Sequence, residues 1–139
     1  MQFQSIIGQS EIKQHLAEMV QHNRLSHALL FLGKEGSGSL QMAIALAQYL
    51  TCEKVSGRQS ANQIVQTGPS LFGDEPAQAP VPAQKPSDSC GLCSSCLKAS
   101  ELVHPDIHFS YPVVTKKSGT PPLSTDYISE WREFIKLYP

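Results

Sequence analysis

Ala28-Leu29-Leu30-Phe31-Leu32-Gly33-Lys34-Glu35-Gly36-Ser37-Gly38-Ser39-Leu40 is the stretch on which the fold turns. Five apolar residues run without interruption into a glycine, as a strand buried on both faces does. After the glycines, Leu40, Met42, Ala43, Ile44, Ala45, Leu46, Ala47 and Leu50 predict a helix from Ser39 to about Cys52. It is apolar nearly all round and so largely buried. Strand, glycine loop and helix in this order form the setting of a phosphate loop of the pattern G-x-x-x-x-G-K-[ST]. Gly33 and Gly38 stand where that pattern needs them, with Gly36 between, but its last two positions are Ser39 and Leu40. In a working loop the lysine reaches the β/γ-phosphates and the hydroxyl holds Mg²⁺. Ser39 brings no charge and Leu40 cannot ligate a metal. Gly33, Gly36, Gly38 and Ser39 therefore read as a degenerate nucleotide site. Its backbone N–H groups could still meet a phosphate, but it lacks a charge-assisted bond of about 1.5–3 kcal/mol. ATP hydrolysis is not expected, so no catalytic residue is assigned. Lys34 starts five positions early and is expected in solvent.

On the N-terminal side, Ile12, Leu16, Met19 and Val20 share one stripe of a helix predicted over 11–21, with Ser10 as its cap and Asn23 as its stop. On the C-terminal side the composition shifts. Residues 53–89 hold five of the ten prolines and few apolar side chains. Such a stretch cannot bury enough surface to offset its ordering entropy, so it is expected to be a flexible insertion. Beyond it, a short helix is expected over 94–102, His104-Pro105-Asp106 turns the chain, and 107–114 is a second strand candidate. Ile128, Trp131, Ile135 and Tyr138 then lie near one stripe of a helix over 126–138. That apolar face asks for a partner, and the chain is expected to be a piece of a longer protein.

The four cysteines carry the second signal. Cys90, Cys93 and Cys96 are spaced by two residues, so their sulfurs can converge from one turn-rich segment, and Cys52 can complete a tetrahedral Cys₄ shell for structural Zn²⁺. The 37 intervening residues (53–89) are no obstacle, because loop-closure cost grows only logarithmically. An iron–sulfur cluster is the competing metal. The bacterial run would need a further cysteine where Ser100 stands. His104 could replace Cys52 as fourth ligand, and four separate thiols are the plain alternative. Residues 90–103 form the expected zinc module. A formal net charge of −1 argues against a free-standing nucleic-acid binder. No apolar run approaches the ~20 residues of a membrane span, and the first residues lack the basic and apolar regions of a signal peptide. The default compartment is the cytosol, where clustered cysteines mean metal or free thiols more often than disulfides.

These residues resemble a known family. Arg24-Leu25-Ser26-His27-Ala28-Leu29-Leu30-Phe31 running into Gly33, Gly36 and Gly38 is similar to the clamp-loader branch of the AAA+ ATPases. Ile6-Ile7-Gly8-Gln9 resembles the motif that opens that fold. The cysteine cluster followed by His104-Pro105-Asp106 looks like the zinc module of bacterial DNA polymerase III clamp-loader subunits. The resemblance implies an α/β fold: the N-terminal part of a RecA-like AAA+ P-loop core, with a partial parallel sheet flanked by helices and a Cys₄ zinc insertion. It also implies partners, namely gamma/tau- and delta-type subunits in a hetero-pentamer, with the sliding clamp and primer-template DNA reached through the complex. Ser39-Leu40 points to the non-motor kind of subunit, a stator. An ATP-hydrolysing motor subunit, or an unrelated zinc-binding interaction module, is the alternative.

Overall fold

The computed structural model describes residues 1–57, 86–116 and 118–137. A 3-10 turn, Phe3–Ser5, precedes helix α1, Ser10–Gln21. Helix α2 spans Ser39–Thr51, followed after one residue by the single turn α3, Glu53–Ser56. Helix α4 covers Ser94–Ser100, and a second 3-10 turn, Ser124–Tyr127, leads into α5, Ile128–Leu137.

Helix α2 is the axis of the molecule, in contact with α1, α3, α4 and the first 3-10 turn. Its apolar composition is the reason. Met42, Ile44, Ala45, Leu46 and Tyr49 are all buried, which leaves hardly a face for solvent beyond Leu40 and Leu50. The main core gathers Phe3, Leu16, Ala17, Met42, Ala45, Leu46, Tyr49, Val55 and the buried cysteines 52 and 96. Phe3 meets the Tyr49 ring at a centroid distance of 5.5 Å. A smaller cluster of Ile44, Leu102 and Ile135, with Phe109 and Trp131 against it, seats α5. Arg132 Nε donates to the Leu102 carbonyl at 3.0 Å, fixing the height at which α5 sits.

Helix α1 ends where the sequence predicts. Asn23 takes φ 54°, one of the few side chains that accept this conformation, and the Arg24 N–H closes back onto the Met19 carbonyl. Its start differs from expectation. Ser10 is the first helical residue and Gln9 holds the cap position at φ 53°, without a side-chain cap bond. Ile12, expected on the buried stripe, is half exposed, and Ala17 is buried instead.

The expected α/β architecture is not formed. Among the described residues there is no strand or bridge, hence no parallel sheet and no RecA-like core. The two strand candidates show why the reading fails. Residues 28–32 place Phe31 against the core, while Leu30 and Leu32 are 82% and 83% exposed. Residues 107–114 alternate, with Ile107, Phe109, Tyr111 and Val113 half-buried and the residues between them exposed. Both runs have strand-like side-chain patterns, but a strand also needs a neighbouring backbone at about 4.8 Å to take up its N–H and C=O groups. Neither run finds one in the other.

Most of the segment predicted as an insertion lies outside the described residues. Its two described ends are packed. Val55 is buried, and the Tyr49 hydroxyl donates to the Pro86 carbonyl at 2.6 Å. Because α2 is the axis, truncating Met42, only 1% exposed, should be among the costliest single changes. Met42→Ala is expected to lower unfolding free energy by about 2–5 kcal/mol in urea titrations, whereas Leu40→Ala should change it by less than about 1 kcal/mol.

Candidate metal centre and glycine loop

Cys52, Cys90, Cys93 and Cys96 come together, with all four sulfurs within 4.8 Å of one another. Three local features deliver them. Cys52 ends α2 and starts α3, an extended residue (φ −62°, ψ 126°) between two helices, so its side chain leaves both axes. Gly91 takes φ 69°, which folds the Cys90–Cys93 knuckle back on itself, and a Cβ there would sit 3.1 Å from Gln2 Nε2. Cys93 caps α4, its sulfur accepting from the Cys96 N–H at 3.4 Å, so Cys96 lies one helical turn behind it.

A tetrahedral zinc with Zn–S near 2.3 Å sets its sulfurs about 3.8 Å apart. The Cys90 and Cys96 sulfurs are 3.9 Å apart. Backbone N–H groups of Cys90 and Cys93 donate to the sulfurs of Cys52 and Cys90, each at 3.4 Å, as thiolate ligands require. Electrostatics also favours a cation. Burial pushes the Cys90 thiol up, but N–H groups of Leu92 and Cys93 and the thiols of Cys93 and Cys52 outweigh it, carrying the group down to about 6. Burial and the neighbouring Cys93 and Cys52 sulfurs push Cys96 well above the ordinary thiol range. A thiolate forms easily at Cys90, and Cys96 resists a second beside it, which a bound cation would offset. The donor set fits a structural metal with four sulfur ligands.

His104 is not in the group. It is buried, and its Nδ1 accepts from the Asp106 N–H at 3.1 Å, a turn-forming bond. Glu53 is a supporting residue that the sequence does not reveal. Its carboxylate accepts from Ser94 Oγ at 2.7 Å and from the Ser95 N–H at 3.4 Å, tying α3 to the first turn of α4 beside two of the ligands.

The glycine loop lines an open cavity of about 810 Å³ together with Met1, Ser5, Ile6 and Ile7. Gly36 and Gly38 are both left-handed (φ 75° and 76°), and Gly38 leads directly into α2. Gly33 is glycine for a different reason. A Cβ on it would lie 1.9 Å from Ser37 Oγ, because the loop folds that closely on itself. Ser39 is the first residue of α2, and the Leu40 side chain is half exposed at the cavity. Lys34 and Glu35 are exposed. Gln9 Nε2 donates to the Ser37 carbonyl, and Lys13 Nζ to the Ile6 carbonyl, so the Gly8-Gln9 turn is tied to the loop by side chains. Those two bonds, and the buried Ser37 hydroxyl, which has no hydrogen-bond partner among the described residues, have no signature in the sequence.

Residues 8–69 match the family model described as DNA polymerase III, delta subunit. The DNA polymerase III subunit delta' of Bacillus subtilis (strain 168) is 29% identical over 104 residues, which is 75% of this chain and 22% of that protein. Over these segments the chain is similar to DNA polymerase III delta-type subunits. It spans about a fifth of the length of that relative, and the matched segment includes the glycine loop. No solved structure matches. No helix among the described residues is long and apolar enough to cross a membrane.

The loop geometry carries two predictions. Ser37→Ala should stabilise the chain, by up to about 1 kcal/mol in urea unfolding, since it removes a buried hydroxyl without a partner. Gly33→Ala should destabilise it by more than about 1 kcal/mol. Combining it with Ser37→Ala should recover only part of the loss, because Ser37 Cβ also lies 2.9 Å from the new methyl.

Proposed function

We propose that this chain is part of a non-catalytic clamp-loader subunit of DNA polymerase III, a stator whose glycine loop no longer turns over ATP. The observation that carries the reading is the pair Ser39-Leu40 at the mouth of α2. Phosphoryl transfer depends almost wholly on positioned charge. At the point where a lysine and a metal-holding hydroxyl are needed, this loop has a neutral hydroxyl and a half-exposed leucine. The similarity to DNA polymerase III delta-type subunits supports the replication setting, and the work of ATP would fall to a neighbouring gamma/tau-type subunit. The sliding clamp and primer-template DNA would be met through the assembly.

In this reading the four-cysteine centre is a structural zinc site. A closed shell of four thiolates leaves no position for water, so the metal would contribute folding energy rather than chemistry. The cysteines, with Glu53 behind them, would fasten the end of α2 to α4.

Two measurements test this. Metal analysis of the purified protein should find about one zinc per chain, lost on chelation and on Cys→Ser substitution at position 52, 90, 93 or 96. Iron with a visible charge-transfer band, or no metal with four alkylatable thiols, overturns the zinc assignment. The full-length parent should bind Mg²⁺-ATP weakly or not at all and hydrolyse none, while supporting clamp loading by its partners. Strong magnesium-dependent ATP binding would favour the motor-subunit reading. Ser39→Lys with Leu40→Thr should raise ATP affinity by one to two decades if the loop has kept its shape, from the ~1.5–3 kcal/mol of the missing charged bond.

A further inference from the structure

The two sites are joined by a polar clasp. Residues 86–93 belong to no helix, yet Asp88 and Ser89 within them are heavily engaged. The Asp88 carboxylate accepts from three backbone N–H groups: Phe3 at 3.1 Å, Gln4 at 2.9 Å and Ser89 at 2.7 Å. Two of these open the first 3-10 turn, where N–H groups have no partner within the turn and an anion is favoured. Ser89 is only 4% exposed. Its carbonyl accepts from Gln2 Nε2 at 2.6 Å and its hydroxyl from Gln48 Nε2 at 3.1 Å. Gln48 Oε1 in turn accepts from the Met1 amino group at 2.6 Å. The next residue is Cys90, whose N–H reaches the Cys52 sulfur. Phe3 shares the core that buries Cys52 and Cys96.

The other end of the N-terminal segment reaches the glycine loop. Met1, Ser5, Ile6 and Ile7 are one wall of its cavity, and Gln9 holds the Ser37 carbonyl. A continuous path of contacts thus runs from the sulfurs through Asp88 and the 3-10 turn to the cavity wall.

We propose that filling the four-cysteine site and closing the N-terminal wall of the glycine-loop cavity are one coupled event, with Asp88 as the joint. The proposal rests on the metal reading above. A bound metal fixes Cys90 against Cys52 and thereby sets Asp88 and Ser89 at the height where they cap the 3-10 turn. With the metal gone, the 86–93 segment loses its anchor at Cys52, and it and residues 1–7 loosen together. Coupling of this kind is reciprocal, so the factor by which metal favours the closed N-terminal turn must equal the factor by which the closed turn strengthens metal binding.

The test is amide hydrogen exchange on the zinc-loaded and chelated chain, for the unmodified protein, Asp88→Ala and Asp88→Asn, with zinc affinity measured by competition against a chromophoric chelator. In the unmodified protein, chelation should speed exchange at Phe3 and Gln4 by about tenfold or more, a change in opening free energy the method resolves. Asp88→Ala held at saturating zinc should already show the fast exchange, and its zinc affinity should fall by a similar factor. Asp88→Asn, which keeps one acceptor oxygen, should lie between. If Phe3 and Gln4 stay protected in zinc-saturated Asp88→Ala, the coupling is overturned, whether or not zinc affinity has dropped. The same holds if chelation loosens 90–96 alone. Should chelation unfold the entire chain, the zinc-saturated Asp88→Ala arm still decides. A chain that takes up no zinc fails at metal analysis and overturns the metal reading together with the coupling, so the two failures are told apart.

Discussion

The convergence of four thiols on one point is the constraint on which the rest of the structure depends. Cys52 and Cys90 lie 38 positions apart, and the N–H of one reaches the sulfur of the other. Closing such a loop costs chain entropy that four weak S–H contacts cannot offset, since S–H is a poor donor and a poor acceptor. A cation at the centre would change the balance, because its binding free energy would become folding free energy. The helix that leads into Cys52 also provides the largest single share of the core. What holds the sulfurs therefore also fixes the end of the buried helix, the start of α4 and the extended residues that lead to them.

Around that centre the chain uses short polar contacts in place of a sheet. Carboxylates do much of the joining: Glu53 spans α3 and α4, and Asp88 caps the N-terminal turn. Each sits where backbone N–H groups would otherwise lack partners, where a carboxylate makes charge-assisted bonds stronger than neutral ones. In a small molecule with a modest apolar core, such capping contributes to the definition of the fold as well as to its stability.

The glycine loop separates shape from chemistry. Its turn needs small residues because a Cβ on Gly33 would lie 2.9 Å from Ser37 Cβ, and because Gly36 and Gly38 are left-handed. None of that requires a nucleotide. These conformational demands hold whatever residues stand at positions 39 and 40.

The sequence by itself determined the four longer helices, the glycine turn and the cysteine set. Helical periodicity, a left-handed stop at Asn23, and two-residue cysteine spacing are local signals, written within one or two turns of chain. It also showed that Ser39 and Leu40 cannot do the work of a lysine and a metal-holding hydroxyl, since side-chain chemistry needs no fold to be read. Only the tertiary structure decided the rest. Alternating apolar residues at 107–114 and a continuous apolar run at 28–32 were read as strands, but a strand is a relation between two segments, and neither run found a partner. Cys52 was chosen over His104 by distance in space. Asp88, Glu53, Gln9 and Ser37 matter through contacts with residues up to 85 positions away, and no pattern along the chain records such contacts.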